Sequence, residues 1–564
     1  MPARSPWRHA VRTGLLWGAG ALFISLVGLI EALQQRQIIT GIISGGHTIL
    51  LVLILAAGLS VARQTAARGA TVQFAASALA GMTAALMVGL LLLLSTVVNF
   101  RAMIVGATPE LYTILSLGRG IAILPWLVLA GALLAAVGAA LTKLPREVQS
   151  LATTGLVTLL AIGLMQEQVL LILQAERVAR IRDAIFTFDG LTPFGASAIV
   201  VVSAVMSGFW HRQRPKARTR LALLAPTQRR WLQYGGFIAA IALVALLPLF
   251  VGPFFSQVLV LVGLYTLMGM GLNLEVGFAG LLDIGFVAFW AIGAYTVGLL
   301  TSASPQAIAN LSWWTATLIA AVVSLISGFL FGLPILGIRG DYLAIATLGF
   351  GEIIRLMVLS DFLRPWLGGS QGVLGIPKPV LFGFEFRGPE QLFFITVGAS
   401  AIIAFVAARL RDSRLGRAWM AMREDEDVAQ AMGINTVNVK LLAYGIGAVF
   451  AGVSGAIFAV MVGSVFPHSF SVLVSINVLA LIIVGGMGSL PGVVVGSLAL
   501  VGLPELLREF SDYRFLVYGA VLMVMMILRP EGLWPAAAQR RELHEEVARV
   551  PEGEAVEILP GSEA

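Results

Sequence analysis

Long apolar runs, separated by short polar segments, dominate the 564-residue chain. A helix of about 20 apolar residues crosses the hydrocarbon core of a bilayer. Runs of that kind fall at 13–31, 38–60, 72–96, 121–142, 151–174 and 194–210. After a basic interruption further runs follow at 234–252, 254–275, 278–300, 313–335, 341–359, 392–410, 438–462, 472–487, 489–507 and 513–529. The pattern predicts an all-α polytopic membrane protein with about sixteen spans, six in an N-terminal extension and ten in a core. A membrane β-barrel would instead alternate its apolar positions over short segments.

The polar segments orient these spans. Arg4, Arg8 and Arg12 precede the first run. That run is too long for the apolar part of a signal peptide and has no clear cleavage site, so it reads as an uncleaved span with its N-terminus inside. Arg63 and Arg68, and then Lys143 and Arg146, fall on the cytoplasmic side, as the positive-inside rule expects. Arg177, Arg180 and Arg182 fall outside and break the rule, with Glu176 and Asp183 flanking them. The stretch 211–230, HRQRPKARTRLALLAPTQRR, carries seven Lys/Arg. It reads as an anchor at the anionic inner leaflet. It also marks a basic linker, 211–233, between an extension at 1–210 and a core at 234–534. An even number of core spans returns the chain to the cytoplasm. The Gly- and Pro-rich segment 361–391, with Trp366, Phe382, Phe384 and Phe386, is then external. The acidic tail 535–564 has no apolar period and is expected to be disordered or a frayed helix.

Composition narrows the function classes. The chain is 58% hydrophobic and only 12% charged, against about 25% charged in soluble domains. The net charge of +7 lies in loops beside spans and does not point to nucleic acid. With no cysteine there are no disulfides, thiolate metal sites or cysteine nucleophiles. The five histidines, His9, His47, His211, His468 and His544, show no metal-ligand spacing, and no nucleophile–base arrangement stands out. No phosphate-binding G-x-x-x-x-G-K-[ST] occurs, and GGMGSLPG reads as a tight turn between spans. No catalytic residue, cofactor or metal site is expected in this chain.

The main polar exception is the loop 410–437, a charged, helix-prone island between two spans. Asp412 or Ser413 can cap its start. Trp419, Met422, Ala429 and Met432 share one helical face, and Gly433 with Asn435 can end the helix in a left-handed turn. Glu424, Asp425, Glu426 and Asp427 sit mid-helix, away from the first turn that favours acids, which points to two short helices with a break near Arg423. The loop is either an ordinary solvated helix or a docking surface. Charged groups also lie in or near spans, where they are costly and usually functional or paired. Glu352 and Arg355, three apart, can pair on one helix face. Asp283, between Gly280 and Gly285, suggests a broken or closely packed helix whose backbone needs a carboxylate partner. Glu275 is expected to reach the cytoplasmic interface. Gly445, Gly447, Ala448, Gly452, Gly455 and Ala456 permit close helix packing.

Asp427-Val428-Ala429-x-x-x-Gly433 fits the "EAA" loop of ABC importer permeases. The surrounding text GRAWMAMREDEDVAQAMGINTVNVKLLAYGIGAVFAG resembles the branched-chain amino acid permease family of the LivM type. So do GLNLEVGFAGLLDIGFVAFWAIGAYT (271–296), LGIRGDYLAIATLGFGEIIRL (336–356), GGSQGVLGIP (368–377), GGMGSLPGVVVG (485–496) and ILRPEGLW (527–534), in order over roughly 257–534. Valine and aspartate stand where the general motif often has alanine and glutamate, and Glu275 stands where the family usually has an apolar residue.

The resemblance implies that 410–437 holds a coupling helix seated in a groove of a cytoplasmic ATPase, with Glu424, Asp427, Ala429, Gly433 and Asn435 in the contact. It implies a permease subunit, in a bacterial inner membrane with both termini cytoplasmic, for branched-chain or other hydrophobic amino acids. Its partners would be two ATPase subunits that hold ATP and magnesium, a second LivH-like permease and an external solute-binding protein. The first six spans lie outside the resemblance. Alternatives are a permease of the same family for urea or short amides, an ion-coupled transporter using Asp283, Glu352 or Arg355, and a membrane scaffold.

Overall fold

A computed structural model describes residues 5–104, 106–172, 179–222, 246–338, 340–506, 519, 523, 525 and 531–535. Most of the expected spans 234–252 and 513–529, part of the basic linker and the tail beyond 535 lie outside these residues. The described chain is helical apart from three small two-stranded pairs and scattered bridges. Among the described residues nine helices are long and apolar enough to cross a membrane, or ten if one bent pair counts as a span. The chain divides into two compact units, Met1–Ile238 and Ala239–Ala564.

In the first unit, α1 (Pro6–Leu26), α2 (Gly45–Thr65), α3 (Ala70–Leu94) and α4 (Leu124–Lys143) pack on one another. Small residues permit this. A Cβ on Gly58 would lie 2.4 Å from the Ala135 carbonyl oxygen, and one on Gly81 would lie 2.1 Å from that of Gly131. Without a hydrophobic drive between helices in lipid, such close approach and interhelical hydrogen bonds hold them together. Gln73 Nε2 donates to the Ala62 carbonyl and to Thr142 Oγ1, both at 2.9 Å. The outward stripe of α4, Trp126, Leu129, Leu133 and Val137, is exposed, as a lipid-facing surface requires. The run 151–174 is not one helix. It ends as α5 (Arg146–Leu164) and restarts at Gln166. The Arg36 guanidinium sits at this break, donating to the Leu164 carbonyl and to Glu167. α6 (Pro193–Ala222) packs on α5.

The second unit is built around one apolar cluster running from Val260 to Leu500. α7 (Pro248–Leu272) kinks at Gly252–Pro253 and ends in a π-helical turn, Asn273–Phe278. The chain then unwinds over 279–286 before α8 (Val287–Thr301), so the expected span 278–300 begins late. α9 (Trp313–Ile335), α10 (Asp341–Leu359) and α11 (Pro389–Arg411) follow. The centre is the helix Thr436–Val462, which packs on α7, α8 and α9. Its glycines make this possible. A Cβ on Gly455 would lie 2.1 Å from the Trp290 carbonyl oxygen, and one on Gly293 would lie 2.2 Å from that of Gly452.

The runs at 472–487 and 489–507 are two helices, Val472–Gly485 and Leu490–Leu506, bent by 119°. The first has 14 residues, about 21 Å against the roughly 30 Å of a full crossing. One end of the unit is fastened by Val373–Leu374 pairing antiparallel with Ser464–Val465. There the Lys378 ammonium donates to the last carbonyls of the central helix, Val460 and Met461, and burial holds its pKa below the usual lysine value. The opposite end carries the loop 412–435.

Candidate functional site

The island 410–437 folds into two short helices, α12 (Arg414–Glu424) and α13 (Glu426–Ala431), which lead into the central helix, α14 (Thr436–Val462). Ser413 Oγ caps α12 by accepting from Gly416 N at 3.3 Å. The break falls at Asp425, two residues after the position expected. There the Asp425 carboxylate accepts from Asp427 N at 2.9 Å and Val428 N at 3.0 Å, satisfying the first amides of α13. Gly433, with φ +86°, closes α13, and Ile434 N returns to the Ala429 carbonyl at 3.1 Å. Asn435 Oδ1 accepts from Asn438 N at 3.1 Å and so caps α14.

These helices are pinned from beneath. Trp419 is fully buried and its Nε1 donates to the Val439 carbonyl at 2.8 Å. Glu426 pairs with Lys440 at 2.6 Å, and the Lys440 side chain is 4% exposed. The Lys440 ammonium also donates to the Leu336 carbonyl. Of the five expected coupling residues, Glu424, Asp427, Gly433 and Asn435 are exposed, whereas Ala429 is buried in the unit's own core. Ala429 therefore supports the surface from below, and Asn435 acts as a helix cap. The most exposed large apolar side chains are Met432 and Val428, with Val437 and Met420 exposed to a lesser degree.

Arg423 links this surface to the membrane helices. Its Nη1 donates to the Gly277 carbonyl, 146 residues away, at 2.7 Å. Gly280, with φ +74°, lies against the same arginine, and a Cβ there would be 3.0 Å from Arg423 Cγ. Asn273 Oδ1, in the same π turn, accepts from Gly488 N at 2.8 Å. The segment 531–535 joins the group, with Leu533 N on the Val484 carbonyl and Trp534 N on that of Gly485, at 2.8 and 2.9 Å. Five of the six blocks quoted above thus meet at or beside this end.

The unwound stretch 279–286 carries Asp283, whose Oδ1 accepts from Gly285 N at 2.7 Å. Ile284 N donates to Thr347 Oγ1 at 3.1 Å, and Val287 N to Ser475 Oγ at 2.9 Å. Asp283 and Glu275 are both buried, and each lies within electrostatic reach of the other. Glu275 does not reach an interface. It is fully buried, and Gly447 makes the room for it: a Cβ there would lie 1.9 Å from Glu275 Oε1. A cavity that Asp283 reaches and Glu275 does not line is bounded by the polar residues Asp283, Thr347 and Tyr444 and by the rings of Phe289, Phe331 and Phe350. Glu352 and Arg355 form an ion pair with each other and are not brought to Asp283. Arg355 lines an adjoining cavity with Tyr295 and Phe470, and Ala288 and Ile354 line both. Sequence reasoning did not single out Lys440 or Tyr444. The available signal for Lys440 was a lone lysine in a long apolar run.

The family described as "Branched-chain amino acid transport system / permease component" matches residues 254–528. The chain is 40% identical over 303 residues to the high-affinity branched-chain amino acid transport system permease protein LivM of Salmonella typhimurium, covering 50% of this chain and 70% of that protein. It is 38% identical over 335 residues to LivM of Escherichia coli, covering 55% and 77%. It is 25% identical over 287 residues to LivH of Salmonella typhimurium, covering 48% and 90%. No solved structure matches the chain.

Proposed function

The chain belongs to the family of permease components of branched-chain amino acid transport systems, and on that premise we propose that it carries branched-chain or similar apolar amino acids inward, driven by ATP hydrolysis on separate subunits. In this reading two ATPases hold ATP and magnesium, a second LivH-like permease completes the path, and an external binding protein delivers the solute. The protein sits in the bacterial inner membrane with both termini cytoplasmic. α12 and α13 are the handle: Val428 and Met432 enter the ATPase groove, flanked by Glu424 and Asp427. Because Trp419, Glu426–Lys440 and Arg423 tie these helices to α14 and to the π turn of α7, a push on the handle moves the unwound stretch 279–286.

The observation that carries the reading is this pinning of an exposed, apolar-tipped helix pair onto the buried end of a broken membrane helix. The test is uptake of radiolabelled solutes into proteoliposomes holding the permeases and their ATPases, with leucine, isoleucine, valine, urea and acetamide compared with and without ATP. Uptake of the three amino acids that stops when ATP is withheld is the expected result. Uptake of urea alone would move the substrate. Uptake driven by an ion gradient without ATP would overturn the coupling.

A further inference from the structure

The acid pair at the unwound stretch is incompletely satisfied: Asp283 accepts from Gly285 N at 2.7 Å, but Glu275 is left without a partner among the described residues. Glu275 is fully buried, and among the described residues neither of its carboxylate oxygens has a hydrogen-bond partner. Asp283, its neighbour, is 2% exposed. Two carboxyl groups so close and so far from water need a third party, either a shared proton or a cation. Among the described residues, Lys440 is engaged with Glu426, Arg355 with Glu352, and Arg423 with the Gly277 carbonyl.

A second observation points outward from the pair. The Tyr444 hydroxyl is buried without a hydrogen-bond partner, lies in electrostatic reach of both carboxyl groups, and lines the same cavity as Asp283. Its lining is mixed: Asp283, Thr347 and Tyr444 are polar, and Phe289, Phe331, Ile335, Phe350 and Ile354 are apolar. The space they line is only large enough for about one water as the structure stands, so a larger occupant enters when the stretch moves. Arg423 supplies the link by which the handle moves it.

We infer that Glu275 and Asp283, with the Tyr444 hydroxyl, are the ammonium-recognising pole of the translocation path, and that the phenylalanine wall takes the aliphatic side chain of the same solute. This assignment rests on the transport reading and names the residues that greet the solute within it. An amino acid with an apolar side chain matches both poles at once, a positive head toward the carboxylates and a hydrocarbon body toward the rings. The same chain without its amino group matches only one.

The chain has no cysteine, so a single introduced cysteine is a clean reporter. Ala288 and Ile354 both line the cavity. The assembled transporter in nanodiscs, carrying Ala288→Cys and separately Ile354→Cys, is treated during ATP turnover with a cationic (trimethylammonium-ethyl) and an anionic (sulfonato-ethyl) methanethiosulfonate. Rates are normalised to those of a free thiol. We expect a preference for the cation of about tenfold, as carboxylates in a low-dielectric cleft produce. Glu275→Gln and Asp283→Asn should abolish it and Glu275→Asp should keep it. Leucine should slow modification, and 4-methylpentanoate, which is leucine without the amino group, should not. Equal normalised rates, equal protection by both compounds, or no modification during turnover would overturn the assignment and leave the pair a sealed, proton-sharing structural contact. Failure of the transport reading shows separately, as absence of branched-chain amino acid uptake by the wild-type complex, because the charge preference is measured without reference to uptake.

Discussion

The two units solve the same problem of burying polar groups in an apolar chain in opposite ways. Among the described residues of the first unit, the buried polar side chains are all uncharged: Thr13, Ser25, Thr48, Thr65, Gln73, Ser77, Ser116, Gln166 and Gln168. Several bond a neighbouring helix, as Gln73 Nε2 does to the Ala62 carbonyl and Ser77 Oγ to that of Gly58. The second unit buries charge: Glu275, Asp283 and Lys440. Charge at membrane depth is costly and is retained where it pairs or works. All three charges lie near the end that bears the handle, and two of them sit at a break in the helices. The comparison separates a bundle whose buried polar side chains are uncharged from a unit that buries charge, and the family match, confined to 254–528, falls on the second.

The largest expected effect comes from breaking the buried charge pair under the handle. Lys440→Ala removes the ion pair to Glu426 and should cost on the order of 3 kcal/mol, read as a lower unfolding temperature of the purified complex, with uptake abolished. Lys440→Met with Glu426→Met should recover most of the stability, because an apolar pair of similar volume replaces a buried ion pair at little cost. If the single change is silent in both assays, the second unit does not depend on its charges. Next comes Gly433→Glu. It places a side chain at a left-handed position, which costs about 1 kcal/mol, and an acid at a helix C-terminus, where the dipole disfavours it. Membrane insertion should be normal and co-purification of the ATPases lost, whereas Gly433→Asn, which tolerates the left-handed turn, should retain them. The smallest effect belongs to the first unit. Gln73→Leu removes two interhelical hydrogen bonds worth about 0.6 kcal/mol each and should leave uptake rates unchanged. A large loss of uptake there would erase the distinction between the units.

How much of this was legible depended on sequence distance. Apolar length alone located Trp313–Ile335 and Asp341–Leu359, and local capping chemistry located Ser413 and the turn at Gly433. The helix break moved from Arg423 to Asp425 because a carboxylate two to three residues ahead of free amides can cap them, a choice the acid run left open at four positions. What could not be read were partners far apart in the chain. Arg423 looks like a surface charge until Gly277 is seen against it. Glu275 looks like an interfacial acid until Gly447 is seen to make room for it. Likewise the runs 278–300 and 472–507 have the composition of full spans, yet they unwind or bend. Hydropathy records the solvent a residue tolerates and not the backbone it adopts.

The most direct measurement of the account is the number of ATP molecules hydrolysed per leucine imported by the reconstituted complex, wild type against Arg423→Met. The substitution keeps the apolar stem and removes the bond to the Gly277 carbonyl. If the handle drives the unwound stretch through this arginine, the variant should assemble and hydrolyse ATP at a rate close to the wild type while uptake falls at least about tenfold, so that the ratio rises by the same factor. An unchanged ratio would show that motion reaches the membrane helices by another route and would contradict the account.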